Sequence, residues 1–358
     1  MNEPAESAGS DQLPADDIRY ARQIRFAGVG RTGQQALSAS KAAVVGMGAL
    51  GSVIAQHLVR SGIGFVRIID RDIVEWSNLQ RQMLYGERDV LNLLPKAEAA
   101  AARLRDMNSS VAVEPVVADV TADNAASLLH DVDVILDGTD NFSVRYLLNE
   151  VSAKYGIPWI YGGAVGGAGA TMTVRPGITA CYRCLFPETP APGSTDTCET
   201  AGILSPVVDI IASHQALEAI KLLTGQHSKL HGKLMQLDFW NNGYLPLDIK
   251  EARRPDCPVC GRQEYSLLER HTDEAAAASL CGRNTIQITP SRSSMPPALE
   301  ETAARLQSAG HVTLSPYLLR LERPDGIVLV LFPDGRALVQ GTDSPTKARA
   351  VYAEILGI

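Results

Sequence analysis

The sequence lacks any apolar run near the roughly 20 residues that a membrane-spanning helix requires, so no contact with a membrane is expected. It also lacks a cationic excess: 33 Lys and Arg stand against 40 Asp and Glu, for a net charge of -7, and the basic residues are dispersed. A nucleic-acid phosphate backbone has no electrostatic footprint to meet, which argues against DNA or RNA as the main partner. There is no internal repeat and no sustained heptad pattern, which sets aside solenoids and coiled coils. Cysteine is scarce, six in the chain. With no export signal at the start, the two C-x-x-C pairs point to a reducing, cytoplasmic setting.

What is present is 358 residues, 45% of them apolar and 20% charged, enough for one large core and a small second one. Residues 1–17 are mostly Ala, Ser, Pro, Asp and Glu and read as a disordered lead-in. Residues 18–262 form a first domain and residues 275–358 a second. Lys41 to Val45 is a short apolar strand running into Gly46-Met47-Gly48-Ala49-Leu50-Gly51, followed by a helix from Ser52 to Ser61. Gly62-Ile63-Gly64 breaks the helix, and Phe65 to Asp70 is a buried strand ending on an acid. A helix at Ala97–Arg105 and strands at Val111–Val117 and Val132–Leu136 continue the alternation, which predicts parallel pairing. From Trp159 to Val174 the chain is Gly-rich and strand-like without intervening helices, so antiparallel strands extend the sheet. The expected fold is α/β: a Rossmann-like sheet, parallel in its first half and antiparallel in its second, with helices on both faces. The small α+β C-terminal domain should contain a strand at Thr285–Ile288, a helix at Pro297–Ser308, three more strands turning at Asp325-Gly326 and Asp334-Gly335, and a final helix to Leu356.

Gly46, Gly48 and Gly51 between a strand and a helix allow a tight turn and bring backbone N–H groups to a phosphate. Asp70, at the end of the next strand, suits ribose hydroxyls. This much fits NAD as well as ATP, and a tight turn that binds nothing is the plainest alternative. Downstream, Asn78, Arg81 and Gln82 add polar groups suited to phosphates. Cys181-x-x-Cys184 and Cys257-x-x-Cys260 offer four thiolates, the pattern of a closed, structural Zn²⁺ site, with a pair of disulfides as the alternative.

Arg19-Tyr20-Ala21-Arg22-Gln23-Ile24, the glycine loop, Ser77-Asn78-Leu79-Gln80-Arg81-Gln82, Pro95-Lys96-Ala97, Asp137-Gly138-Thr139-Asp140-Asn141 and both cysteine pairs occur in one order. In that order they resemble the family of ThiF, the adenylyltransferase MoeB and the ubiquitin-activating enzymes. The resemblance implies ATP-dependent adenylation of the C-terminal glycine carboxylate of a small ubiquitin-like sulfur-carrier protein ending in Gly-Gly. It further implies that Asp70 holds the ribose, that Asn78, Arg81 and Lys96 surround the triphosphate, that Asp140 binds Mg²⁺, and that Arg22 comes from the other subunit of a homodimer. Cys198 stands where relatives carry a cysteine that can bond to the activated carrier or its sulfur, and a sulfur donor protein is a further possible partner. Read singly, Arg22, Arg81 and Lys96 could be surface charges, Asp140 a helix cap, and Cys198 an idle loop thiol. Adenylation of a peptide or other carboxylate, and an NAD-dependent oxidoreductase, are the competing activities. Cys281 is expected to be structural.

Overall fold

The computed structural model describes residues 15–190, 200–270, 276–280, 284–290 and 297–356. They fall into two compact units, the second taking in the residues from Ser266 onward.

The first unit contains helices α1 (Ala15–Arg19), α2 (Ala21–Arg25), α3 (Gly30–Ala39), α4 (Ala49–Arg60), α5 (Glu87–Leu91), α6 (Lys96–Met107), α7 (Ala125–Leu129), α8 (Phe142–Tyr155), α9 (Tyr182–Leu185) and α10 (Ser205–Leu223). Its strands are β1 (Lys41–Val45), β2 (Phe65–Ile69), β3 (Ala112–Val116), β4 (Val134–Asp137), β5 (Trp159–Val165), β6 (Ala168–Val174), β7 (Lys233–Asp238) and β8 (Gly243–Asp248). They form one sheet in the order β3-β2-β1-β4-β5-β6-β7-β8. Pairing is parallel from β3 to β5, with Val44 opposite both Ile68 and Leu136, and antiparallel from β5 to β8. The change of strand direction has a local cause. Parallel strands need a crossover helix, whereas β5 returns as β6 through Gly166-Gly167, with Gly166 at φ 60°. β1 and β4 are buried almost throughout because helices cover both faces of the sheet there.

Several sequence expectations need correction. The helix at Ala15–Arg19 takes in residues 15–17 of the expected lead-in, anchored by an Asp16 carboxylate that accepts from Ser110 Oγ at 3.0 Å. Residues 1–14 lie outside the described residues. The helix after the glycine loop starts at Ala49, not Ser52, so the loop is tighter than expected. β7 and β8 were not foreseen; β8 is exposed along its length and contains Pro246, so it lacks a buried stripe to mark it.

The second unit is a six-stranded antiparallel sheet of β9 (Ala276–Leu280), β10 (Thr285–Thr289), β11 (His311–Leu314), β12 (Leu319–Glu322), β13 (Val328–Leu331) and β14 (Ala337–Gln340), in the order β11-β12-β13-β14-β10-β9. Helices α11 (Leu299–Leu306) and α12 (Pro345–Leu356) pack Leu299, Ala303, Val351 and Ile355 into one core with Ile286, Leu321, Leu329 and Val339 of the sheet. Four strands follow α11 where three were expected; at four residues each they are too short for alternation to separate them. The Ala-rich β9 was also missed, because its composition favours helix. Gly326 and Gly335 turn at φ 82° and 84°, as the Asp-Gly pairs required.

Candidate functional site

The order in which strands are added to the sheet reverses between the parallel pair β1 and β4, and a ligand crevice in an open α/β sheet forms at the carboxyl ends of such a pair. The glycine loop leaves β1 there, and the Asp137–Asp140 turn leaves β4. Gly46 has φ 88° and donates its N–H to Ile69 O at 2.8 Å; a Cβ on it would lie 2.8 Å from the Gly138 carbonyl. A Cβ on Gly51 would collide with the Gly46 carbonyl oxygen. Both glycines are demanded by the protein's own backbone. Gly48 is different: the nearest atom to an added Cβ is Gln82 Nε2, at 3.9 Å, so space stands open in front of it at the N-terminus of α4.

Asp70 receives the loop directly. Its Oδ2 accepts Met47 N–H at 2.6 Å and its Oδ1 accepts Asp72 N–H at 2.7 Å, leaving the second lone pair of each oxygen for a ligand. Burial pushes the Asp70 carboxyl above the ordinary carboxylate range, against the opposing Lys96 charge. Lys96, only 3% exposed, places Nζ 3.3 Å from Asp72 Oδ2. The Tyr85 hydroxyl donates to Met47 O at 2.7 Å and lies 3.3 Å from Lys96 O, tying the glycine loop to the start of α6. Burial raises the Tyr85 phenol and keeps it a donor.

The polar segment after Asp70 forms a compact turn. Buried Asn78 accepts Glu75 N–H on its side chain at 3.0 Å, while its carbonyl accepts the N–H groups of Arg81 and Gln82 at 3.1 and 3.0 Å. The half-buried Arg81 guanidinium donates to Ser77 O at 2.9 Å. Gln82 is 3% exposed; its amide nitrogen faces Gly48, and its buried Oε1 has no hydrogen-bond partner among the described residues, an unused acceptor at the loop.

On the other side, Asp137 is fully buried and Asp140 is exposed. Asp137 Oδ1 accepts both the N–H and the hydroxyl of Thr139 at 2.8 Å, and its Oδ2 lies 3.3 Å from Arg145 Nε. Burial raises the Asp137 carboxyl, with Arg145 opposing; burial likewise works against the Arg145 charge, but Asp137 outweighs it and holds the guanidinium above its ordinary value. The N-cap of α8 is Asn141, which accepts Ser143 N–H at 2.9 Å, so the capping role considered for Asp140 belongs to its neighbour. Gly46, Gly48, Asp70, Gln82 and Lys96 are thus gathered around the loop, with the Asp137–Asp140 turn against Gly46. Arg22 is exposed on α2, and among the described residues no hydrogen bond links it to this group. Asp72, Tyr85, Asp137 and Arg145 were not singled out from sequence. An acid ending a strand before a helix whose second turn carries Arg was the available signal for the last two.

The four cysteines converge. Cys181 Sγ lies 3.8 Å from Cys184 Sγ and 3.7 Å from Cys257 Sγ, Cys184 Sγ lies 3.4 Å from Cys260 Sγ, and all four sulfurs fall within 4.8 Å of one another. A tetrahedron with Zn–S bonds of about 2.3 Å has edges of about 3.8 Å, whereas a disulfide would need about 2.05 Å. The donor set and spacing fit zinc. Four thiolates this close would repel one another, so a cation is needed to hold all four in the ionised form. Asn149 braces the first knuckle, accepting Tyr182 N–H at 2.8 Å with its amide nitrogen 3.7 Å from Cys181 Sγ. Cys198 and Cys281 lie outside the described residues.

The chain is similar to several known proteins. The sulfur carrier protein ThiS adenylyltransferase of Bacillus subtilis (strain 168) is 44% identical over 342 residues, covering 95% of this chain and 99% of that protein. The SAMP-activating enzyme E1 of Haloferax volcanii is 42% identical over 251 residues, covering 70% and 91%. Among solved structures, E. coli MccB superposes with a TM-score of 0.61 at 23% identity, over 74% of this chain and 77% of that one, a likeness of fold. The family model for ThiF matches residues 20–259, through the glycine loop, the Asp70–Gln82 turn, the Asp137–Asp140 turn and three of the four knuckle cysteines, and the chain belongs to the ThiF family.

Proposed function

We propose that this protein adenylates the C-terminal glycine carboxylate of a small ubiquitin-like sulfur-carrier protein ending in Gly-Gly, using ATP and releasing pyrophosphate. The observation that carries the reading is the open space before Gly48 at the head of α4, bordered by Gln82 and set beside Asp70, in a chain whose relatives are named as sulfur-carrier adenylyltransferases. An NAD enzyme shares the glycine loop and Asp70 but has no use for the cations and acids around them.

In this reading Asp70 orients the ribose, and α4 directs backbone N–H groups at the phosphates. Asn78, Arg81, Gln82 and Lys96 line the triphosphate, Asp140 holds Mg²⁺, and Arg22 enters from the second copy of a homodimer. The metal lowers the charge on the phosphate oxygens when bound. The carrier carboxylate, with a pKa of about 3.5, needs no general base. Its oxygen bonds to the α-phosphorus as the bond from that phosphorus to the bridging oxygen breaks, and pyrophosphate leaves with the electron pair. Holding both reactants in line and neutralising their charge is the protein's share of catalysis. Zinc at Cys181, Cys184, Cys257 and Cys260 is structural, since four protein ligands leave no site for water. Cys198 is the candidate for a covalent bond to the activated carrier before sulfur arrives from a donor protein. No described helix is long and apolar enough to cross a membrane, and the proposed setting is cytoplasmic.

The direct test is carrier-dependent exchange of labelled pyrophosphate into ATP. Exchange with at least one Gly-Gly-ending carrier is expected; none with any such carrier, or tight NAD binding without Mg²⁺, sinks the reading.

A further inference from the structure

Arg145 is buried, 6% exposed, in the first turns of α8, although a buried guanidinium is expensive and an apolar side chain would hold a helix on a sheet at no such cost. What it reaches accounts for it. Its Nε lies 3.3 Å from Asp137 Oδ2, and one terminal nitrogen donates to Thr139 O at 2.6 Å and to Gly162 O at 3.2 Å. Asp137 in turn accepts from the N–H and hydroxyl of Thr139. The peptide groups on both sides of Thr139 are therefore fixed, one through Asp137 and the other, which leads into Asp140, through Arg145. Gln215 of α10 donates to Asp137 O at 2.8 Å and Ile160 O at 3.1 Å, securing the same strand ends from above, and the Tyr161 and Phe142 rings lie 5.1 and 5.3 Å from the guanidinium.

We infer that Arg145 is a positioning residue that fixes the peptide before Asp140, and so sets where the Asp140 carboxylate stands relative to the glycine loop. It touches neither nucleotide nor carrier in this assignment; it acts through the Asp137–Thr139 clamp. Only a planar group with several donors can reach Asp137, Thr139 O and Gly162 O together, so Lys should fail where Arg succeeds. The inference rests on the reading of Asp140 as the metal-holding carboxylate.

The test is Arg145→Lys in the full-length protein, with Mn²⁺ as a spectroscopic probe in place of Mg²⁺. Mn²⁺ uptake into the complex with ATP is followed by electron paramagnetic resonance, and ATP binding in buffer freed of divalent cations beforehand, with no chelator added so that the cysteine site keeps its metal, is followed by calorimetry. Mn²⁺ affinity should fall about tenfold or more, the usual effect of removing support for a metal ligand, while metal-free ATP affinity stays close to the parent value. Parallel loss of both affinities would mark a merely structural role and overturn the assignment. So would no loss of either in a folded variant. Should Arg145→Lys fail to fold, Thr139→Val decides: it removes one clamp bond and should weaken Mn²⁺ binding a few-fold, and unchanged binding refutes the assignment. If pyrophosphate exchange is absent but the metal effect holds, adenylation fails and the clamp stands. If exchange is present without the metal effect, the reverse is true.

Discussion

Gly48 and Gly51 share one loop and meet opposite constraints, so they separate folding from binding. Gly51→Ala drives a methyl into the Gly46 carbonyl and should cost more than about 2 kcal/mol by denaturant unfolding. Gly48→Ala has room in the protein and should keep stability within about 1 kcal/mol. Its ATP affinity should nonetheless drop about tenfold, a change of about 1.4 kcal/mol in calorimetry, and unchanged affinity would place the phosphates elsewhere. Asp70 supplies a pH prediction. Its carboxyl is raised by burial, so the folded state holds the proton more tightly than the unfolded chain. The resulting stability is complete below the ordinary pKa of about 3.9 and is lost as pH rises through the higher folded value. Stability measured from about pH 4 to about pH 7 should therefore fall less in Asp70→Asn than in the parent; equal slopes would contradict it. Gly46, Gly51 and Asp70 were readable in the sequence because each acts where its own strand or helix ends. Tyr85 and Arg145 were not, because their roles exist only once distant segments meet.

Among the elements, β1, β2 and β4 announced themselves as apolar runs bounded by glycine or acid, whereas β7, β8 and β9 carried no comparable pattern. The cysteine knuckles were legible for another reason: a two-residue spacing between cysteines is itself a ligand geometry. What spacing did not reveal is their surroundings. Tyr182, inside the first knuckle, packs against Tyr146, Tyr161 and Phe186 with ring centroids 5.1, 5.2 and 4.6 Å away, so the cysteine cluster is continuous with the core beside α8 and β5. A single zinc per chain is expected by elemental analysis. Removing it with chelator, or replacing Cys257 by Ser, should lower the melting temperature by about 5 °C or more; a chelated protein that melts like the parent would make the cysteines incidental.

At the scale of the whole molecule, two variants divide the proposed reaction sequence. Asp140→Ala should abolish both adenylation and sulfur transfer, whereas Cys198→Ala should spare pyrophosphate exchange and impair only sulfur transfer; loss of exchange in the second would move Cys198 into the first step. The sequence pattern restarts after Gly261 and no motif in residues 275–358 specifies chemistry; the described residues from Ser266 onward fall in the second compact unit. The close approach of Gly46 and Gly138 has a consequence for how such a site can change. A Cβ on Gly138 would lie 2.9 Å from Gly51 Cα and strike the Gly46 carbonyl, so two motifs far apart in the chain share one backbone contact. Their tolerance to mutation is therefore coupled: neither loop can be grafted or diversified alone, and altered nucleotide preference should emerge only from libraries that vary both together.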